Sequence, residues 1–322
     1  MSHSQFVSKC TVDALEMAAN TLKAGNLVAF PTETVYGIGA DATNGEAVAR
    51  IYQTKGRPEN HPLIVHLHSM QAMDDWVEGI PTYAISLARD FWPGPLTLIL
   101  KRSQLAQDFI TGGQDTVGIR VPDHVVALAL LEAFHKVGGR GIAAPSANRF
   151  GQVSPTTAQA VIEELGQYLK PGDQILDGGP CSVGVESTII DCTGDTPRIL
   201  RPGSITAEMI AKTTGLAVFG SVGTTIRVSG SLEAHYAPAA RVLLCQTPMP
   251  GQGFIAFANQ ETPDGVVRLA APRTAAEYAR DLYAALRKAD ELGLTEVIAI
   301  QPVGIGIEVA IRDRLMRAAN GR

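Results

Sequence analysis

Two short clusters carry residue types and spacings suited to holding phosphate. Lys55-Gly-Arg57-Pro58 sets two cations around a glycine, and the proline prevents the preceding helix from continuing. Both side chains can then leave one turn, lysine as a compact charge and arginine as a planar fork that fits phosphate oxygens. Taken alone, the same tetrapeptide also describes a solvated helix end. Pro145-Ser146-Ala147-Asn148-Arg149 follows the apolar run 141–144 and offers a hydroxyl, an amide and a guanidinium where a strand ends. Open α/β sheets bind ligands beyond the carboxyl ends of their strands. An Asn-containing turn is its plain alternative, but the two clusters together predict a local basic cavity.

The rest of the chain makes such a cavity local by necessity. The 322 residues carry 27 Lys and Arg against 32 Asp and Glu, a formal net charge of −5, so bulk charge does not attract nucleic acid. Hydrophobic residues make up 45%, enough for one large or two ordinary cores. Cys10, Cys181, Cys192 and Cys245 show neither CxxC nor zinc spacing and read as reduced thiols. No run is long and apolar enough for a membrane span and no leader pattern opens the chain, so a cytoplasmic protein is expected.

Several common motifs are missing. There is no Gly-Lys dipeptide and hence no Walker A loop, no HExxH and no GxSxG. Gly37-Ile-Gly39-Ala-Asp-Ala42 has the look of a degraded dinucleotide fingerprint, but Ala42 stands at its third position. Its glycines are read as serving backbone conformation. Gly304-Ile-Gly306 is read as a tight turn before the last helix rather than an anion site.

The elements that must position these residues alternate. Helices are expected over 11–23, from Asn44 to Lys55, and over 83–91, 124–135 and 157–165. Strands are expected over 27–30, 63–67, 96–100, 117–121, 141–144, 187–191 and 198–200, with 31–37 as a loop. This alternation predicts an α/β fold with a twisted open mixed sheet whose helices help form the cavity. A helix over 207–213 begins a small and polar connector. From residue 241 a second pattern follows, with strands over 241–245, 254–257, 266–269 and 296–300 and helices over 274–292 and 307–319. The expected division is a catalytic domain over 1–205, a linker and candidate lid over 206–240, and a small Rossmann-like α/β domain over 241–322.

Lys55-Gly-Arg57 with Ser146-Ala-Asn148 resembles the KxR…SxN signature of the YrdC-like family, the threonylcarbamoyl-AMP synthases. Pro31-Thr-Glu-Thr-Val-Tyr-Gly-Ile-Gly39, Trp92-Pro-Gly-Pro-Leu-Thr97, Val117-Gly-Ile-Arg120-Val-Pro122 and Glu186-Ser-Thr188 are similar to that family too. Arg201-Pro-Gly203, Ser229-Gly-Ser-Leu-Glu-Ala-His-Tyr-Ala-Pro238 and the segment 306–319 resemble its long form, which adds a small C-terminal domain.

The resemblance implies that L-threonine, bicarbonate and ATP give threonylcarbamoyl-AMP and pyrophosphate, the donor for N6-threonylcarbamoyladenosine at position 37 of certain tRNAs. Such a reaction needs positioning and charge neutralisation more than covalent catalysis. Lys55, Arg57, Ser146 and Asn148 are then the catalytic and ATP-binding set, joined on the nucleotide side by His61, Thr116, Ser154, Arg201 and Tyr236. Thr34, His66, Arg120 and Ser187 take the threonine side, with Arg120 on its carboxylate. His66 and Glu33 are the options for a general base. Mg2+ is expected on the triphosphate, with no metal ligands from the protein. The product is expected to pass to a tRNA threonylcarbamoyl-transfer complex, and weak tRNA or RNA contact is a further expectation. The competing classes are a non-enzymatic module for double-stranded RNA or tRNA, and a carbamoyl-adenylating enzyme of hydrogenase maturation, whose zinc-finger and acylphosphatase modules find no room here.

Overall fold

The structure, a computed structural model, describes residues 6–221, 223–230 and 235–321. Residues 1–5, part of the opening stretch that the leader expectation concerns, and residues 231–234 of the Ser229–Pro238 motif lie outside the described residues.

Side-chain capping sets several of the helix starts that the sequence announces. β1 (Val7–Lys9) precedes α1 (Val12–Lys23), where the Thr11 hydroxyl accepts from the Ala14 amide. β2 (Val28–Phe30) and β3 (Gly37–Asp41) lead to α2 (Gly45–Lys55). Asn44 caps α2 by accepting from the Glu46 and Ala47 amides, and Gly56 ends it in the left-handed region at φ 63°. β4 (Ile64–His66), β5 (Val77–Glu78), α3 (Thr82–Phe91), β6 (Leu96–Arg102) and α4 (Asp108–Thr111) follow. Then come β7 (Thr116–Arg120), α5 (Val125–Lys136), β8 (Ile142–Ala143) and α6 (Ala158–Leu165). β9 (Gln174–Asp177), β10 (Thr188–Asp191), β11 (Arg198–Arg201) and α7 (Ala207–Thr214) complete this part.

These strands form one 11-stranded mixed sheet in the order β1-β9-β2-β3-β8-β4-β7-β6-β10-β11, with β5 beside β6. β4 runs parallel to β7 and β10 parallel to β6, whereas β3 is antiparallel to both β2 and β8. The expected open mixed sheet is therefore present.

β3 corrects the reading of the glycines. Gly37 and Gly39 lie in a fully buried strand, and neither has a positive φ. A Cβ on Gly39 would stand 2.6 Å from Ile142 and 2.9 Å from Phe30, so glycine here permits close packing across the sheet. A run of small residues without β-branched alternation gives no strand signal. β1, β5 and β9 are short and were equally illegible.

The C-terminal part holds β12 (Arg241–Leu244), β13 (Gly253–Ile255), β14 (Val267–Ala270), α8 (Ala275–Glu291), β15 (Glu296–Ala299) and α9 (Glu308–Ala319). Its four strands are all parallel in the order β12-β15-β13-β14, the expected small α/β domain. The turn before α9 is held by Arg312, which donates to the carbonyls of Pro302 and Gly304. One buried cluster joins this domain to the first: Tyr278, Leu282, Tyr283 and Leu315 pack with Val35, Val153, Val185 and Tyr236. Between the domains, Ile226 and Val228 of the connector lie on Ile99, Ile189 and Leu200, against the large sheet.

Candidate functional site

The loop after β8 is pinned from two sides. Its backbone pairs with the start of β3, through a bridge between Gly37 and Ser146 and an amide–carbonyl bond from Ala147 to Tyr36. From below, the Lys55 ammonium donates to the carbonyls of Ser146 and Asn148, each at 2.5 Å. Lys55 is 2% exposed, and burial followed by the nearby Arg57 charge pushes its pKa well below the lysine value. The two cations thus do not leave the turn as a matched pair, because the carbonyls of the loop take up the lysine.

Arg57 lies nearer the connector. Its Nη2 donates to the Pro62 carbonyl at 3.0 Å and to the Ser229 hydroxyl at 3.5 Å, while burial lowers its pKa to about 10. His61 stands edge-on to Phe150 at 5.3 Å, with its pKa lowered by burial and by Arg57. Asn148 donates to the carbonyls of Arg149 and Gln152, leaving its buried Oδ1 without a partner among the described residues. Arg149 turns away: it donates to the Thr54 carbonyl and stacks on Tyr168 at 4.2 Å.

The residues assigned to threonine meet in one wall. Arg120, at the end of β7, donates through both terminal nitrogens to the Thr34 hydroxyl at 3.1 Å and pairs with Glu33 at 2.6 Å. Ser187 Oγ lies 2.8 Å from Thr97 Oγ1 and accepts from Arg201 Nη2 at 3.1 Å. Arg201 also holds the Ser187 carbonyl and, through Nη1, the Ser229 carbonyl at 2.9 Å. His66 is buried, its Nδ1 without a partner among the described residues, and burial reinforced by Arg120 lowers its pKa to about 3. It is therefore neutral at physiological pH.

Thr34, His66, Arg120, Ser146, Ser187, Arg201 and Tyr236 line one cavity. Thr116 lines a neighbouring recess with Gln114, Arg227 and Ser229. Lys55, Arg57, His61, Asn148 and Ser154 line neither. Ser154 donates to Glu186 Oε1 at 2.7 Å, so its hydroxyl is already engaged. Ser229, His235 and Tyr236 close the cavity to about 40 Å³, far below the roughly 300 Å³ of a typical small-molecule pocket. Tyr236 is 1% exposed at φ 61°, stacks on Tyr283 at 5.7 Å, and has a hydroxyl without a partner among the described residues.

Four further polar lining residues, Thr32, Glu186, Ser229 and His235, are given no role by the sequence. Each stands inside a quoted motif, so its neighbourhood was legible and its direction was not.

Residues 20–203 match the family model described as telomere recombination, and 205–320 match that of the threonylcarbamoyl-AMP synthase C-terminal domain. The threonylcarbamoyl-AMP synthase of Pyrococcus abyssi is 40% identical, over 96% of this chain and 94% of its own length. The chain belongs to the threonylcarbamoyl-AMP synthase family. The Bacillus subtilis member is 39% identical over 96% of this chain and 93% of its own. Among solved structures, P. abyssi Sua5 complexed with L-threonine superposes with a TM-score of 0.88 at 37% identity, covering 98% of each chain. The family likeness thus spans both domains and the connector.

Proposed function

We propose that this chain is an L-threonylcarbamoyladenylate synthase, a nucleotidyltransferase that forms threonylcarbamoyl-AMP and pyrophosphate from L-threonine, bicarbonate and ATP. The observation that carries this is the junction in one cavity of an Arg120–Thr34–Ser187 wall with the Ser146 loop and Arg201. It gives a small amino acid and a phosphate adjoining places.

In this reading the threonine carboxylate meets Arg120, while its amine and hydroxyl meet Thr34, Ser187 and the free Nδ1 of His66. The amine captures the carbon of bicarbonate with loss of water. A carbamate oxygen then attacks the α-phosphorus of ATP, the new P–O bond forms, and the bond to the bridging oxygen breaks to release pyrophosphate. Arg57 and Arg201 offset the phosphate charge, and Asn148 Oδ1, Ser146, His61, Thr116 and Ser154 belong to the nucleotide side. Lys55 acts by fixing the loop that carries Ser146 and Asn148. His66, being neutral, serves as a hydrogen-bond acceptor, and Glu33 is held by Arg120.

Mg2+ is assigned to the triphosphate. Glu33 and Glu186 are each paired with a buried arginine, and among the described residues no group of three His, Cys, Asp or Glu converges as for a metal. Residues 1–205 are assigned as the catalytic domain, 206–240 as a linker that lifts to admit ATP and closes to exclude water, and 241–322 as the C-terminal domain. The product would serve a tRNA threonylcarbamoyl-transfer complex in the cytoplasm. Among the described residues no helix is long and apolar enough to cross a membrane.

Pyrophosphate release from ATP tests this reading. It should require both L-threonine and bicarbonate, and release independent of threonine would overturn it.

A further inference from the structure

Glu186 belongs to the catalytic domain and lines the cavity next to Ser187, yet its carboxylate is held largely from the other domain. Oε2 accepts from the Tyr283 hydroxyl of α8 at 2.8 Å and from Arg314 Nε of α9 at 2.7 Å. Among the described residues, Ser154 is the one side chain of the catalytic domain that hydrogen-bonds the carboxylate, at Oε1. Arg314 has no solvent exposure and is itself fixed by Asp313 at 2.5 Å and by the Pro202 carbonyl at 3.1 Å. The same two side chains clamp Tyr236. Its ring stacks on Tyr283, and the Arg314 guanidinium stands 5.2 Å from its centre. A left-handed φ at a tyrosine persists only where its surroundings over-determine it, and this pair supplies them. One helical turn beyond Tyr283, Arg287 bonds Glu164 at 2.9 Å, and the other oxygen of Glu164 accepts the Arg149 amide of the Ser146 loop.

A fully buried ion pair is poor evidence of stabilisation, since apolar residues of the same volume often serve as well. Its placement is the informative part. We infer that Arg314 and Tyr283 are positioning residues for the adenylate-forming reaction, through which the C-terminal domain holds Glu186 and Tyr236 in the cavity wall. The inference rests on the reaction proposed above.

The charged and titratable groups facing Glu186 are Arg201 from β11, His235 and Tyr236 from the connector, Tyr283 from α8, and Asp313 and Arg314 from α9. Burial alone would raise the carboxyl pKa of Glu186. Arg314 and then Arg201 outweigh it and hold the group at about 2, ionised at every working pH. Without Arg314 a single cation remains, and the carboxylate takes up a proton under much milder acid.

The test uses the full chain, with kcat and KM for threonine and ATP followed from pH 5 to 8. Arg314→Met should lower kcat/KM at least tenfold at neutral pH and add an acidic limb absent from the wild type. Arg314→Lys should restore much of the rate and remove that limb. Tyr283→Phe should lower kcat severalfold with little change in either KM. Adding Glu186→Gln to Arg314→Met should abolish the new limb, since no carboxylate is left to titrate. Variants that lose thermal stability but keep wild-type kcat, KM and pH profile per folded molecule would overturn the inference. Should Arg314→Met not fold, the shape-preserving Arg314→Lys and Tyr283→Phe decide by the same readouts. A wild type without threonine-dependent release would instead overturn the reaction itself, and the inference with it.

Discussion

The Lys55 ammonium donates to the Asn148 carbonyl at 2.5 Å from beneath the loop and, unlike Ser146, does not line the cavity. Replacing it by alanine strands two buried carbonyls, at about 1–3 kcal/mol each. We expect Lys55→Ala to lower stability by roughly 2–5 kcal/mol and pyrophosphate release at least tenfold. Denaturant unfolding and steady-state kinetics check both. A variant of unchanged stability with only a raised KM for ATP would mean that the lysine acts on phosphate instead.

Arg120 addresses Thr34 through a fork, with two nitrogens at the same distance from one hydroxyl. Lysine keeps the charge and loses that geometry. Arg120→Lys should raise the KM for threonine at least tenfold, about 1.4 kcal/mol, and leave the KM for ATP nearly unchanged. Calorimetric titration with L-threonine provides an independent reading. Equal losses for both substrates would argue against a threonine-specific role.

Arg227 ties the connector down by receiving and giving backbone bonds to Gln114 and by donating to the Gly112 carbonyl. These bonds are exposed, whereas Val228 beside them is buried against the sheet. Limited proteolysis within 220–230 should slow when ATP and threonine are both present. Cutting at an unchanged rate would contradict a closing movement.

His66 and His235 both titrate near 3 when folded, each lowered by burial first. An unfolded histidine takes up its proton near 6.5. The unfolded state therefore binds more protons between these limits, and stability falls as the pH drops through that window. The slope should reach about 1.4 kcal/mol per pH unit for each histidine. Glu186, lowered to about 2, adds a loss of the same sign below its ordinary value near 4.5. Urea midpoints measured from pH 7.5 to 4.5 should decline steadily, with His66→Gln reducing the slope. A flat profile would show that neither ring is buried neutral.

Much of this site was legible because chemistry and local structure shared a few residues. Asn44 and Gly56 announce the ends of α2, which fixes where Lys55 and Arg57 lie. Gly141–Ala144 is apolar enough to predict the strand that presents Ser146, although the strand itself is only Ile142–Ala143. Direction was harder to read. The pattern around Lys55 is the same whether the ammonium meets phosphate or a carbonyl, and nothing around Ser154 foretells that its hydroxyl donates to Glu186. Glu186, Tyr283 and Arg314 are far apart in the chain, and no periodicity couples them. β3 gives no strand signal because Gly37-Ile-Gly39-Ala-Asp41 has Ile38 as its one branched residue, Gly39 being demanded by neighbours from β2 and β8.

β1 pairs with β9, Val7 against Ile175, so the edge of the large sheet waits for more than half of the polypeptide to be made. The partner of Glu186 comes later still, on α9. On a ribosome, a nascent chain that has emerged only through β11 holds a carboxylate destined for burial with Arg201 present and Arg314 still to come. Pairings this distant along the polymer make assembly slow and expose unfinished edges in the meantime. Catalytic competence should therefore appear late in biosynthesis, in one step with the docking of α9.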